Sequence, residues 1–331
     1  MARSTTTRGL LIAIIAAACF GMSGALVKPL LEAGWTPAAA VTARALIGAV
    51  ALAPFALVAL RGRWSTLWRA RGRILVMAGI GVAGTQLVYF AAVQRIPIGT
   101  AILMEYTAPL LLVLLAWART RRVPRLVVII GSVLAVAGLV LVVAPQGGVA
   151  LDTLGVVFSV LGMIGCAIYY LAAAIPSDGL PPVAFAASGL LLGGLALGAV
   201  GLLGIVPFAV TTTAVRFGGV TTAWWVPVLI VGVLSTGLAY AASITSSELL
   251  GSRLASFMGL LEVVAATLYA WVLLGEGLTV AKGIGGVLIL TGIAFVRSEK
   301  ADDAPLEPGS GADGRGVAGH PDALEPAPAD A

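Results

Sequence analysis

WARTRRVPRLVVIIGSVLAVAG (residues 117–138) and WVLLGEGLTVAKGIGGVLILTG (residues 271–292) read as one stretch written twice. Trp117 matches Trp271, Gly131 matches Gly285, Leu134 matches Leu288 and Gly138 matches Gly292, all at an offset of 154 residues. Four identities at one offset indicate an internal duplication. A looser match pairs Tyr89 with Tyr240 once a small gap is allowed. Each copy also holds an apolar run of about the 20 residues that a spanning helix needs.

Composition says the same of the rest of the chain. Of its 331 residues 60% are hydrophobic and 11% charged, with a mean hydropathy of +1.05. That is more apolar surface than a soluble core of this size hides, so the solvent is lipid and a soluble enzyme is excluded. The 42 glycines and the Ala-rich stretches fit helices that pack through small residues. The net charge of +5 is split: residues 1–298 carry 18 Lys and Arg against 7 Asp and Glu, and residues 299–331 carry 2 against 8. Cys19 and Cys166 lie in apolar runs without CxxC spacing, and the single histidine, His320, lies in the tail, so no metal site, disulfide or Cys/His catalysis is expected. No GxxxxGK[ST] motif is present and no cofactor is implied.

Charged or Pro/Gly-rich breaks divide the chain into ten spans, near residues 10–31, 37–60, 73–94, 98–118, 124–143, 153–174, 182–206, 224–247, 252–274 and 280–297. Arg3 and Arg8 ahead of Leu10-Leu11-Ile12 imitate a signal peptide, with Ala17-Ala18-Cys19 as a faint cleavage site, but the apolar run continues to Leu31 and reads as the first helix. Cytoplasmic loops retain Lys and Arg. With the N-terminus inside, 15 basic residues fall inside and only Lys28, Arg95, Arg216 and Lys282 outside. Both termini are therefore expected in the cytoplasm. The expected organisation is a cytoplasmic N-terminal segment (1–9), a first five-helix repeat (10–143), an external linker (144–152), a second five-helix repeat (153–298) and a disordered acidic tail (299–331). This is an all-α membrane protein. Because five is odd, the second copy enters the membrane from the opposite side, the inverted arrangement on which many transporters are built.

Several stretches carry a further resemblance: Phe20-Gly21 followed by Lys28-Pro29, Pro37 and Arg44; Tyr89 to Gly99; Glu105-Tyr106-Thr107-Ala108-Pro109; and Leu261-Glu262 through Leu273-Leu274-Gly275-Glu276. Over residues 8–298 the chain resembles EamA-type proteins of the drug/metabolite transporter superfamily. The resemblance implies ten helices in inverted 5+5 repeats and export of amino acids, metabolites or drugs. Two positions depart from the pattern: Arg121-Arg122 stands where the first repeat often has Gly-Glu, and Val263 where a proline often follows the glutamate.

An ionisable residue at a helix centre costs about 2.5 to 3.5 kcal/mol on insertion scales, so by default it faces a cavity or a partner. Arg44, Glu105 and Glu262 are the three. At 1.5 Å per residue, Arg44 and Glu105 each fall about 10 Å below the outer boundary. Gln86 falls at similar depth, with Tyr89 and Tyr106 near it. One reading has Arg44 and Glu105 paired with each other; the other has them on the solute, and an arginine can exchange one carboxylate for another. Glu262 is expected about 15 Å deep with no basic residue at its level, which suits a carboxyl group that takes up and releases a proton and equally a protonated glutamate that only hydrogen-bonds a neighbouring helix. Tyr169, Tyr170 and Tyr240 lie deeper, with path lining and core packing both open. Lys28 reads as a snorkelling residue, Glu248 and Arg253 as a surface pair, and Trp64, Trp68, Trp224 and Trp225 as interface anchors. Gly189, Gly193, Gly194 and Gly198 read as close helix packing.

The leading functional class is a multi-pass secondary transporter in a bacterial-type inner membrane, exporting a small metabolite such as an amino acid, or a drug-like compound, by proton-coupled alternating access. Its partners are a small-molecule substrate, protons and membrane lipid; no nucleic acid is involved and a homodimer is left open. The competing class is a non-transporting membrane protein, a lipid-handling subunit or intramembrane enzyme. No Ser/His, Cys/His or paired-carboxylate spacing supports it.

Overall fold

In hydrocarbon every backbone N–H and C=O must be satisfied within its own segment, so apolar runs of this length have helix as their available form. The computed structural model describes residues 2–96, 98–143, 152–175, 179–217, 220–275 and 277–298. The expected linker up to residue 151, Pro97, Glu276, and the tail with His320 lie outside the described residues.

The chain begins with α1 (Ala2–Glu32) and α2 (Pro37–Ala59), the latter capped by the Thr36 side chain with Pro37 in its first turn. The short α3 (Trp64–Arg69) leads to α4 (Arg71–Val76), which runs through a π-helical segment (Met77–Gly84) into α5 (Thr85–Val93). Then follow α6 (Ile98–Glu105), α7 (Ala108–Thr120), α8 (Leu126–Val143), α9 (Thr153–Ala174) and α10 (Pro182–Leu202). A hairpin of β1 (Val215–Phe217) and β2 (Val220–Thr222) precedes α11 (Trp225–Ile230), a second π segment (Val231–Leu238), α12 (Ala239–Gly259), α13 (Leu261–Leu274) and α14 (Val280–Ser298). Among the described residues nine helices are long and apolar enough to cross a membrane.

Four features differ from expectation. Helix α1 begins at Ala2 rather than near residue 10, and Gly9 lies so close to Leu249 and Leu250 that a Cβ there would meet Leu250 Cδ2 at 2.8 Å. Tertiary packing extends the helix beyond its apolar run. The structure is not wholly α: in the loop after α10, Val215 pairs with Thr222 and Phe217 with Val220. That loop is tied down, since Trp35 Nε1 donates to Thr211 O at 2.8 Å and Val215 is buried with Leu30 and Val228. The eighth and ninth expected spans run together over Trp225–Gly259, interrupted at Gly251, whose φ of 77° and ψ of 160° only glycine adopts readily. Two expected spans are broken midway, at 106–107 and at Leu260.

The duplication reappears in three dimensions. The second π segment lies 154 positions after the first, residue for residue. Helices α8 and α14 pack through the repeated glycines crosswise. A Cβ on Gly131 would lie 2.7 Å from the Gly292 carbonyl oxygen, and one on Gly285 would lie 2.6 Å from that of Gly138. Since 131 meets 292 and 138 meets 285, the two helices run antiparallel. The π segments are gripped in the same way. A Cβ on Gly193 of α10 would be 3.0 Å from Ala78 O, and one on Gly48 of α2 would be 3.0 Å from Gly232 O, Ala78 and Gly232 being 154 apart. The other small residues of α10 also sit at contacts, Gly189 on Met77 and Gly194 on Ala45 and Leu46.

Candidate functional site

The two broken helices place their glutamates at the breaks. In the first, Pro109 has no N–H to return to the Glu105 carbonyl, so the helix stops at Glu105 and restarts at Ala108. Thr107 stabilises the turn by donating its hydroxyl to Met104 O at 2.6 Å. In the second, α12 ends at Gly259 and Glu262 occupies the first turn of α13. Val263 does not prevent this break. The Tyr170 hydroxyl occupies the space where any side chain on residue 259 would begin, so a neighbouring helix packs directly against the backbone next to the break.

Between the breaks lies a cavity of ≈ 660 Å³ lined by Arg44, Gln86, Tyr89, Glu105, Tyr106, Tyr240 and Glu262, so all seven residues singled out in the sequence meet in one space. One face of α1 contributes Phe20, Ser23, Val27 and Leu31 at helical spacing. The cavity reaches Leu31, Pro37, Val142, Val143 and Lys282, all at the helix ends remote from the arginine-rich segments 61–73 and 119–125. At the other end it stops at an aromatic layer: Phe20 against Tyr240 at 5.2 Å, Tyr240 against Tyr169 at 5.7 Å and Tyr169 against Tyr170 at 5.1 Å, each near-perpendicular. The Tyr169 hydroxyl pairs with Ser243 Oγ at 2.8 Å.

Of the two readings of Arg44 and Glu105, the one that pairs them with each other is not realised among the described residues. Arg44 Nη1 donates to Ser23 Oγ at 2.7 Å, and the carboxylate on which its charge acts is Glu262. Glu262 therefore has a cation in its surroundings, contrary to the depth argument, which placed Arg44 in a separate, shallower layer. Tyr106 lies beside Glu262, bringing the broken helix of one repeat next to that of the other. Glu105 lies near enough to repel Glu262, and packs where a Cβ on Gly162 would lie 4.0 Å from its Oε2. The carboxylate pair thus comes from helices 157 positions apart in the chain, invisible to any search for local spacing. Ser23 was legible as a polar residue on the lining face of α1. Lys282, read as an outer-loop cation, lines the mouth. Glu248, expected to pair with Arg253, bonds Arg73 at 3.4 Å.

Residues 7–144 and 153–298 each match the EamA-like transporter family. The chain belongs to this family. As an EamA-like transporter it is a multi-pass membrane protein built from two matched repeats. The fold of this EamA-like chain is shared with a solved crystal structure at a TM-score of 0.72 and 22% sequence identity, over 87% of this chain and 96% of that one. No curated protein matches the chain.

Proposed function

We propose that this EamA-like protein is a secondary transporter that exports a small metabolite such as an amino acid, or a drug-like compound, by proton-coupled alternating access. The observation that carries the reading is the cavity of ≈ 660 Å³, which holds Arg44, Glu105 and Glu262 together, reaches one face and is bounded on the other side by the aromatic layer. A solute carboxylate suits Arg44, whose guanidinium fork binds carboxylates in bidentate fashion. A solute ammonium suits the two carboxylates, and an apolar body suits the tyrosine walls. Glu262 is the coupling residue, trading its proton against the solute.

The membrane arrangement belongs to the same proposal. Splitting Trp225–Gly259 at Gly251 and joining its second part to the apolar Leu261–Leu273 gives ten spans. The crosswise glycine contacts of α8 and α14 are what a two-fold axis lying in the membrane plane produces, supporting inverted repeats. The arginine-rich face is cytoplasmic and the cavity opens outward, in a bacterial-type inner membrane.

The test is solute efflux from cells overexpressing the protein, screened over amino acids and toxic analogues. Efflux of at least one solute above control cells, lost in Arg44→Ala, is the expected result. Equal efflux of every solute from expressing and control cells contradicts the proposal.

A further inference from the structure

Below the aromatic layer, at the arginine-rich end, one side chain gathers three helices. Arg73, in α4 of the first repeat, donates Nε–H to Ala172 O of α9 at 2.8 Å and pairs through Nη2 with Glu248 Oε1 of α12 at 3.4 Å. Its guanidinium also lies 4.2 Å from the centre of the Phe185 ring of α10. All three partners belong to the second repeat. The side chains of Arg73 and Glu248 are 12% and 16% exposed, so the pair is screened far less than a surface ion pair.

The second repeat cannot build this clamp at the other end. The position 154 residues after Arg73 is Pro227, and the one 154 before Glu248 is Gln94. Neither carries a charge, so the duplication supplies the charged clamp at the arginine-rich end alone.

We infer that Arg73 is a gating residue, holding the arginine-rich end of the cavity closed and weighting the protein toward the state open at the opposite face. The inference rests on the transport reading above. A carrier must open both ends in turn, and a clamp present in only one closed state shifts the population toward it by its full interaction energy. Arg73 touches no solute; it acts by setting which end is open.

The test reads accessibility. In the full chain with Cys19→Ser and Cys166→Ser, a reporter cysteine is introduced as Ser246→Cys, which lies with Ser243 and Tyr170 beneath the layer. Inside-out vesicles are treated with a membrane-impermeant maleimide. With Arg73 intact the reporter reacts slowly, and Arg73→Gln speeds labelling about tenfold, the effect of losing one charge-assisted contact. Glu248→Gln, which keeps an acceptor but not the charge, gives a smaller rise and carries the test if Arg73→Gln does not fold. Unchanged labelling in the folded variants overturns the inference. Faster labelling without solute flux in the parent protein would leave the gate standing and remove the transport reading; normal flux with unchanged labelling would do the reverse.

Discussion

Arg44 spends one of its five N–H donors on a serine hydroxyl rather than on a carboxylate, so its positive charge is not consumed by a partner on the same wall. That makes it the natural anchor for an anionic group of the solute. Arg44→Ala should remove about 2 kcal/mol of solute binding, roughly 30-fold in apparent affinity, as loss of a hydrogen bond to a charged group does, and so bring flux to background at solute concentrations well below half-saturation of the parent protein; flux against solute concentration measures this. Arg44→Lys should recover only part, since an ammonium cannot present a planar fork. Glu262→Gln keeps shape and hydrogen-bonding capacity but cannot ionise. It should retain solute exchange and lose the dependence of net flux on a pH gradient, and undiminished pH-driven flux would remove Glu262 from coupling. At this scale the sequence was informative about identity and silent about partners. A charge inside an apolar run announces itself by cost, whereas the serine that takes Arg44 lies on another helix and is set by packing.

The helix ends show the duplication at work and where it has diverged. Gly275 closes α13 in the left-handed region at φ 69°, and the residue 154 positions earlier, Arg121, closes α7 there at φ 55°. Glycine adopts this region freely, while an L side chain pays about 1 kcal/mol or more. Arg121→Gly should therefore raise thermal stability by about 1 kcal/mol, measured as a shifted melting midpoint in detergent. The opposite is expected where α8 and α14 touch: Gly131→Val would push a branched side chain into the Gly292 backbone and cost about 1 to 3 kcal/mol. Hydropathy located most of the described spans because lipid imposes a common length on them, but it did not find the boundary between the eighth and ninth, which run together over Trp225–Gly259. It missed the hairpin 215–222, the π segments and the break at Leu260. At the Leu260 break the Tyr170 hydroxyl packs against Gly259, a tertiary contact that hydropathy does not register, and the hairpin is short and held by Trp35 and Leu30.

Seen as a whole molecule, the protein joins two homologous halves around one space, closed by a charged clamp at one end and open at the other. Cysteines substituted at Thr213 and Ser65, both exposed, should separate the faces: the first should react with an impermeant thiol reagent from outside intact cells and the second should not. Reaction of the second from outside would reverse the orientation and with it the outward opening. The duplication and the class of protein were legible in the four identities at one offset and in composition, because repeats and lipid leave periodic marks on a sequence. The carboxylate pair was not, since it forms only when two breaks face each other across the repeat boundary. The most direct measurement is flux by the purified protein in proteoliposomes carrying an imposed pH gradient, with the solute found in the efflux screen. The account predicts uphill solute movement against proton flow, abolished in Arg44→Ala and uncoupled from the gradient in Glu262→Gln. Solute movement no faster than through protein-free liposomes would contradict it.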